Sequence, residues 1–345
     1  MVQYFIRRFL LIIPTFLGIT MISFGIMQIV PGGPLEQEIM KLKMGLAAAG
    51  EVGGGSGNVS GAVEIPEEAL AEMRKFYGFD KPIPVRYATW LWNILHFDLG
   101  RSYKYGEPVW DVIKSRFPIS IYFGLIGFIL SYSICIPLGI MKAVKHGSTF
   151  DFATSFLVFL GYSTPGWALG AILLVLFGGG SFWDVFPLGG FRSEGWEMFG
   201  MWDKITDQVY HTILPVIAYT IGSFATLTVL MKNSLMEQLG QDYVRTAFAK
   251  GLSEKRVVFL HALRNSLIPI ATGLGHFLGI VLAGSYLIEY TFNINGFGLL
   301  GFTSVVNRDY PIVLGVMVIS SLIGLLGNII SDILYAIIDP RIRFR

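Results

Sequence analysis

Long apolar runs constrain what this chain can fold into more than any other feature of the sequence. The first run, Phe9 to Val30, holds no charged residue and would extend about 33 Å as a helix, enough to cross a bilayer. Five later runs are similar: Pro118 to Met141, Phe152 to Phe177, Val209 to Met231, Leu267 to Ile288 and Ile312 to Ile338. We therefore expect an all-α polytopic membrane protein with six transmembrane helices.

Composition agrees with this class. Hydrophobic residues make up 53% of the 345 residues and charged residues only 14%, which is far more apolar than a soluble domain of this length. The single cysteine, Cys135, lies inside an apolar run and leaves no internal disulfide framework. The net charge of +2 gives no indication of a nucleic-acid partner.

The first run has an alternative interpretation as a secretory signal peptide, because Arg7 and Arg8 precede it. However, it is longer than the apolar region of such a peptide. It is also followed by Pro31-Gly32-Gly33-Pro34 rather than by a small-residue cleavage site. We therefore expect a retained first helix.

Prolines and glycines inside the later runs are compatible with packed membrane helices. Neighbouring helices can satisfy the backbone groups that a proline leaves unpaired, and we expect this at Pro137, Pro165, Pro215 and Pro269. Two pairs at GxxxG spacing, Gly166 with Gly170 and Gly275 with Gly279, would allow close helix approach. The abundance of glycine, 41 residues in all, explains both pairs equally well.

Six spans place both ends of the chain on one side, and the basic residues indicate which side. Thirteen basic residues lie in one set of short segments: Arg7, Arg8, Lys142, Lys145, Lys232, Arg245, Lys250, Lys255, Arg256, Arg264, Arg341, Arg343 and Arg345. The opposite short loops hold three basic residues, Arg192, Lys204 and Arg308, together with seven acidic residues. The positive-inside rule then predicts that both termini and the segment 233–265 are cytoplasmic.

These spans divide the chain into three parts. Residues 1–116 are predicted to form the first helix and a long extracytoplasmic loop, 117–339 a core of five helices, and 340–345 a basic tail. Within the loop, Met44 to Gly61 has the composition of a flexible linker, and Glu64 to Tyr77 is predicted to be a short amphipathic helix. Tyr87, Trp90 and Trp92 follow, and we expect these aromatic side chains to be exposed and to anchor an interface.

The cytoplasmic segment 233–265 is predicted to form two short helices joined at a glycine. Residues 242–250 contain no helix breaker, and Gly251 stands where a helix ends in the left-handed conformation. Ser253 occupies the N-cap position of the second helix. Val244, Ala247 and Phe248 are predicted to share one helix face, and Val257, Leu260, His261 and Arg264 a second one. Such an amphipathic hairpin is suited to docking in a groove of a soluble partner.

The stretch DYVRTAFAKGLSEKRVVFLHALRNSLIP resembles the "EAA" loop of ABC importer permeases, whose general pattern is E-A-A, three residues, G, nine residues and I-x-L-P. Aligned on Gly251, only Ala247, Gly251 and Leu263 fit that general pattern literally. The substituted form R-T-A…A-K-G…H-A-L-R-N…I-P is similar to the version in dipeptide and oligopeptide importer permeases. Further motifs occur in the family's order: IVPGGP, DLGRS, GSYLIEYTFNINGFGLLG and DPRIR. The insert within Lys41 to Gly61 departs from most members and is most similar to the YejB-type branch.

The resemblance implies a bacterial inner-membrane permease subunit with the type I ABC importer fold. Its implied partners are membrane lipid, a second, similar permease, two ABC ATPases or one fused ATPase, and an extracytoplasmic peptide-binding protein that would contact Tyr87, Trp90 and Trp92. ATP and Mg²⁺ would be bound by the ATPases, so no cofactor is expected in this chain. The implied cargo is di- or oligopeptides or peptide-like compounds, including peptide antibiotics; glutathione or a nickel chelate remains an alternative.

The resemblance also assigns an ATPase-coupling role to the loop around Gly251. Its candidate residues are Asp242, Tyr243, Arg245, Thr246, Ala247, Lys250, Gly251, Leu252 and Ser253. Arg245 either pairs with a carboxylate of the ATPase or belongs to a solvated basic face, and the sequence favours neither. Lys250 and Arg264 are better explained by the positive-inside rule.

Absent motifs narrow the remaining alternatives. No G-x-x-x-x-G-K-[ST] occurs in the sequence, so it contains no recognisable P-loop for ATP. No Asp or Glu falls near the middle of a predicted span, which disfavours an ion-driven secondary transporter. His276 is the midspan candidate for lining a pathway, although a packed, hydrogen-bonded histidine explains it more simply. An embedded enzyme would need a catalytic constellation, and none is found in the sequence. A pure assembly or scaffold subunit remains an alternative, for which altering His276 or the translocation helices would leave transport intact.

Overall fold

The computed structural model describes residues 2–30, 80–180, 182–273 and 284–338, together with the single residues 36, 39, 40 and 71. The described part consists of helices and connecting loops, with two isolated β-bridges, Arg101 with Pro108 and Gly178 with Phe186. Its helices are α1 (Val2–Ile29), α2 (Ile83–Leu95), α3 (Val109–Val144), α4 (Thr149–Ser163), α5 (Gly166–Phe177), α6 (Met201–Leu239), α7 (Asp242–Ala249), α8 (Glu254–Arg256), α9 (Leu263–Ser266), α10 (Ile268–Gly273), α11 (Tyr286–Thr291), α12 (Phe297–Val306) and α13 (Tyr310–Ile338).

Four of the described helices are long and apolar enough to cross a membrane, over Ile6–Ile29, Val109–Val144, Met201–Leu239 and Tyr310–Ile333. They confirm the first, second, fourth and sixth predicted runs. Pro137 lies inside α3 and Pro215 inside α6, as predicted for membrane helices. The described residues thus form an all-helical membrane protein.

The third predicted run is not one straight helix. Helices α4 and α5 meet at an angle of 95°, so the pair forms either a broken span or a re-entrant loop. Pro165 explains the break, because proline lacks an N–H and disfavours the helical conformation of the residue before it. Thr164 is accordingly extended, with φ −100° and ψ 118°. The prediction that a membrane helix continues through Pro165 was therefore wrong.

Several sequence predictions fall outside the described residues. Only the ends of the fifth run, Leu267 to Ile288, are described, as α10 and the start of α11. His276 and the pair Gly275 and Gly279 belong to the part that is not described. So do the flexible segment 44–61, all but one residue of the predicted helix 64–77, and the tail 340–345.

The chain divides into two compact units, each with its own internal packing. One unit comprises Met1–Ile13, Arg116–Leu300 and Ser320–Arg345, and the other Pro14–Ser115 and Gly301–Ile319. In the second unit Asp309, which is buried, accepts hydrogen bonds from the Ser102 hydroxyl and from the backbone N–H groups of Tyr103 and Lys104. This carboxylate holds the loop after α2 against the turn between α12 and α13.

A buried carboxylate also organises the first unit. Glu289 of α11 is 1% exposed, and it accepts hydrogen bonds from Ser120 of α3 at 3.2 Å, Tyr219 of α6 at 3.3 Å and the Leu299 N–H of α12 at 2.7 Å. A Cβ added to Gly296 would lie 2.4 Å from the Glu289 carboxyl carbon. Only glycine therefore fits there, and Glu289 connects α11 and its neighbour α12 with α3 and α6, which are distant in sequence.

Candidate functional site

The segment from the end of α6 folds into a compact hairpin, which we call the coupling hairpin (residues 239–266) after the role that the sequence resemblance implies for it. α7 begins two residues after the kink at Gly240 and ends before Gly251, whose φ is +78°. The Gly251 N–H donates to the Phe248 carbonyl at 2.9 Å, and the Leu252 N–H donates to the Ala247 carbonyl at 3.4 Å. This pair of bonds is the Schellman motif, so the prediction of a left-handed glycine at the end of the helix is confirmed.

The return arm of the coupling hairpin begins at Ser253, as predicted, but the serine hydroxyl makes no capping hydrogen bond. After one turn of α8, the backbone forms a π-helix over Val257–Ala262 before α9 continues. A π-helix accommodates an extra residue in its turn and shifts the residues that follow to a different face. Val257, Val258 and Ala262 are buried as a result, whereas Leu260, His261 and Arg264 are exposed. The predicted shared face of Val257, Leu260, His261 and Arg264 was therefore wrong.

The inner side of the coupling hairpin packs on the ends of two long helices. Val244 and Ala247 of α7 join the buried residues of the return arm in one apolar cluster. The cluster also contains Ile140 and Ala143 from the end of α3, and Met231 and Leu235 from the end of α6. Because these residues are almost fully buried, the hairpin is fixed to α3 and α6 by an apolar core rather than held only by its connections.

Polar contacts fix the two arms of the coupling hairpin to each other and to α6. The Ser234 hydroxyl donates to the Ser266 carbonyl at 2.8 Å in a buried position. The Tyr243 hydroxyl donates to Gln238 Oε1 at 2.8 Å and accepts from Asn265 Nδ2 at 3.2 Å. Tyr243 thereby connects α7 with α6 and with the return arm.

The outer side of the coupling hairpin exposes apolar and charged side chains together. Phe248 is 44% exposed and Leu260 is 56% exposed, and Tyr243 and Phe259 are also exposed. The candidates Asp242, Arg245, Thr246, Lys250, Gly251 and Ser253 lie on the exposed side, while Ala247 is buried and Leu252 is half-buried. Aromatic and aliphatic side chains rimmed by charges are typical of a protein-docking surface.

Arg245 lies near its own helix neighbour Asp242, with Nη1 to Oδ1 at 3.5 Å. Both side chains are largely exposed, at 75% and 96%. Exposed pairs of this kind contribute about 0–1 kcal/mol. The contact with Asp242 is therefore weak enough for Arg245 to exchange it for a carboxylate on a partner.

The coupling hairpin, α6 and the end of α3 lie within a segment that matches a known protein family. Residues 135–344 match the family described as "Binding-protein-dependent transport system inner membrane component". The chain belongs to this family.

Full-length relatives agree with the family. The chain is 43% identical to the "Peptidoglycan transport system permease protein YejB" of Agrobacterium fabrum, over 99% of this chain and 98% of the relative. It is 42% identical to the "Inner membrane ABC transporter permease protein YejB" of Escherichia coli O157:H7 over the same shares. It is 34% identical to the "Dipeptide transport system permease protein DppB" of Escherichia coli K12 over the whole of both chains.

In this permease the predicted outer contact residues have different environments. Trp92 of α2 is 63% exposed, as expected. Tyr87 and Trp90 are half-buried against α1, where their rings lie 5.6 Å and 5.3 Å from that of Phe24. The Tyr87 hydroxyl also hydrogen-bonds Thr20 at 3.0 Å. The expectation that all three aromatics are exposed was therefore wrong for Tyr87 and Trp90, which hold α2 against α1.

Sequence reasoning missed an ionic cluster beside the coupling hairpin. Lys142 and Lys232 were interpreted only as basic residues facing the inner side of the membrane. The structure places both on the carboxylate of Asp151, with Nζ to oxygen distances of 3.1 Å and 2.7 Å. The one available sequence signal was the Ser148-x-x-Asp151 spacing, which marks a helix start; the Ser148 side chain does accept from the Asp151 N–H.

The pathway candidate His276 lies outside the described residues. Within the described part of the chain, no group of three or more His, Cys, Asp or Glu side chains could hold a metal ion. The surface that the geometry favours for function is therefore the outer side of the coupling hairpin.

Proposed function

We propose that this chain is the permease subunit of an ATP-driven ABC importer and that the outer side of the coupling hairpin docks into a groove of an ATPase subunit. The observation that carries the proposal is the hairpin's two-sided construction. Its inner side is fixed by an apolar core to α3 and α6, while its outer side exposes Phe248, Phe259 and Leu260. A contact that must transmit a displacement needs this combination of a rigid base and an exposed face.

The geometry supports the following mechanism. ATP and Mg²⁺ are bound by the two ATPase subunits, or by one fused ATPase, which close around ATP and move the docked hairpins. The hairpin moves α3 and α6 with it because all three share one core, and the permease pair passes to an outward-open state. A second, similar permease completes the pathway as a heterodimer. Hydrolysis then resets the cycle.

The proposed orientation places the coupling hairpin and both termini in the cytoplasm of a bacterial cell with the permease in its inner membrane. The basic residues of the short segments support this orientation through the positive-inside rule. α2 and the loop after it then lie outside. There a peptide-binding protein would contact the exposed Trp92 and the rim of a cavity of about 460 Å³, whose lining includes Trp90, Arg86 and Arg101.

We propose peptides or peptide-containing compounds as the cargo. The names of the relatives support this class: "Peptidoglycan transport system" in Agrobacterium fabrum, "Dipeptide transport system" in Escherichia coli and "Oligopeptide transport system" in Bacillus subtilis. A peptide carries charged ends and many amide groups, so it needs a polar pathway through the membrane.

Copurification of the ATPase with hairpin variants tests the docking proposal. Leu260→Glu places a charge on the exposed docking side and should release the ATPase from detergent-solubilised complex, while the partner permease remains bound. Phe97→Glu is the matched control, because Phe97 is also highly exposed but lies after α2. Retention of stoichiometric ATPase by the Leu260→Glu complex would contradict the proposal.

A further inference from the structure

A buried ionic cluster joins three helices next to the coupling hairpin. Asp151, in the first turn of α4, receives hydrogen bonds from Lys232 of α6 at 2.8 Å and 2.7 Å. Lys142 of α3 lies 3.1 Å from the same carboxylate. Asp151 also accepts from the Gly147 backbone N–H at 3.2 Å. We call this group the Asp151 clamp.

Lys142 is held more tightly than a surface lysine would be. It is 1% exposed, and its ammonium group donates to the Asp151 carbonyl at 2.9 Å, to Thr154 at 2.9 Å and to Ser155 at 2.7 Å. Removing a charge from water is costly unless several well-aligned partners replace the water. The partners present here fix the position of α4 relative to the end of α3, and a sliding motion would break several charged hydrogen bonds at once.

The clamp lies directly on the base of the coupling hairpin. The core that holds the hairpin includes Ile140 and Ala143 of α3 and Met231 of α6. Lys142 lies between the first two in sequence, and Lys232 directly follows Met231. Lys232 is seven residues before the end of α6, which is about 10 Å along the helix axis. Motion of the hairpin would therefore reach the clamp through the last two turns of α6.

The far end of α4 is also fixed, at its corner with α5. A Cβ added to Gly161 would lie 2.7 Å from the Ile221 side chain, and one added to Gly166 would collide with the Ala218 carbonyl of α6. Both glycines thus allow the corner to approach α6 closely. α4 is held at its start by the clamp and at its end by this packing.

We infer that Asp151 is a positioning residue that makes α4 and the α4–α5 corner move with the coupling hairpin during the transport cycle. The inference rests on the proposed docking of an ATPase on the hairpin. In an importer of this kind, closing the ATPases would shift the hairpin, α3, α6 and α4 as one rigid body. Without the clamp, the shift would still reach α3 and α6 through their apolar core, but α4 would no longer follow.

If the clamp only stabilised the fold, its variants would have different effects on transport. A buried ion pair is weak evidence for a stabilising role, because proteins in which apolar residues replace both partners are often equally stable. Removal of one partner is destabilising, however, because it leaves an uncompensated buried charge. If the clamp only stabilised the fold, variants would reduce the amount of assembled complex and would change ATP hydrolysis and uptake in parallel. A coupling role instead changes the ratio of ATP hydrolysed to peptide imported.

The test compares Asp151→Asn with Lys145→Gln in complexes reconstituted into liposomes. Asn has nearly the same shape as Asp but no charge. Lys145 is the control because it lies in the loop between α3 and α4, close to the clamp in sequence, and is exposed. For Asp151→Asn we expect ATPase subunits to remain bound and the ATP-to-peptide ratio to rise at least about fivefold; the control should keep the wild-type ratio. Thr154→Val removes one acceptor of Lys142 without leaving a charge unpaired, and it should raise the ratio in the same direction but less.

A distance measurement distinguishes a coupling role of the clamp from a purely structural one. Spin labels at Lys255 of the hairpin and at the exposed Tyr162 near the corner, in a Cys135→Ala background, should show one unchanged distance with and without ATP. In Asp151→Asn this distance should change with ATP or split into two populations. A wild-type ratio for assembled Asp151→Asn, a parallel fall of hydrolysis and uptake, or an ATP-dependent distance in the wild type would each overturn the inference. Failure of the proposed docking is distinguishable from failure of this inference, because it would be measured separately, as ATPase retained by the Leu260→Glu complex.

Discussion

Replacing Gly251 by valine should uncouple ATP hydrolysis from transport while leaving the membrane helices intact. Gly251 has φ +78°, and a Cβ placed there would have nothing within 4 Å. The damage therefore comes from backbone strain and not from a steric clash with the rest of the protein. The left-handed conformation costs an L-residue about 1–2 kcal/mol, which lowers the population of the native turn by a factor of about 5–30.

The strain acts on the two bonds that close the Schellman motif, from Gly251 to Phe248 and from Leu252 to Ala247. Opening them would let the return arm separate from α7 and would disorder the docking side that carries Phe248 and Leu260. Asparagine is the matched control, because its side chain tolerates the left-handed region best among residues with a Cβ. Coupling should therefore decrease in the order Gly, Asn, Ala and Val.

The assay is peptide uptake and ATP hydrolysis by the reconstituted complex, with assembly checked by copurification. We expect assembled Gly251→Val complex to hydrolyse ATP with little uptake, and Gly251→Asn to retain most of the uptake. Wild-type coupling in the valine variant would refute the reasoning. An asparagine variant as damaged as the valine variant would show that glycine is needed for its size and not for its φ.

Three further predictions concern other parts of the chain. Cysteines at Ser253 and at Met198, which are both exposed, should react with an impermeant maleimide from opposite sides of the membrane; labelling of Ser253→Cys from outside intact cells would reverse the orientation. Glu289→Gln should keep most of the buried hydrogen bonds and should lower the melting temperature less than Glu289→Ala does. The alanine variant leaves the Ser120 and Tyr219 hydroxyls and the Leu299 N–H without their shared acceptor, at a cost of about 1–3 kcal/mol each. Equal melting temperatures of the two variants would contradict this role of Glu289. Arg245→Glu should weaken ATPase binding more at low salt than at 1 M salt, where the Debye length is about 3 Å, and a salt-independent effect would exclude a charge contact.

Features governed by local rules were predictable from the sequence. Four of the six apolar runs are confirmed as long helices because length and hydropathy decide whether a segment can satisfy its backbone in lipid. Gly251 was predictable for the same kind of reason: few residues other than glycine adopt its φ at low cost, and the helix pattern ended at that position.

Features governed by distant contacts were not predictable. Prolines lie inside α3 and α6, whereas α4 ends at Ser163, two residues before Pro165, and the periodicity of the sequence does not distinguish these cases. The π-helix over Val257–Ala262 changes which side chains face inward, and no simple periodicity signals it. In the sequence Lys142 is simply a basic residue near the end of an apolar run. Only the fold shows that its ammonium group contacts Asp151, Thr154 and Ser155.

Photo-crosslinking from the coupling hairpin tests the central claim most directly. A photoreactive benzoylphenylalanine at Leu260, on the exposed docking side, would be irradiated in native membranes and its products identified by mass spectrometry. The same amino acid at the buried Val257 is the control and should crosslink only within this chain. We predict that Leu260 crosslinks to an ATP-binding subunit and that added ATP changes the yield. Crosslinks confined to lipid or to this chain, in membranes where an ATPase still copurifies, would contradict the account.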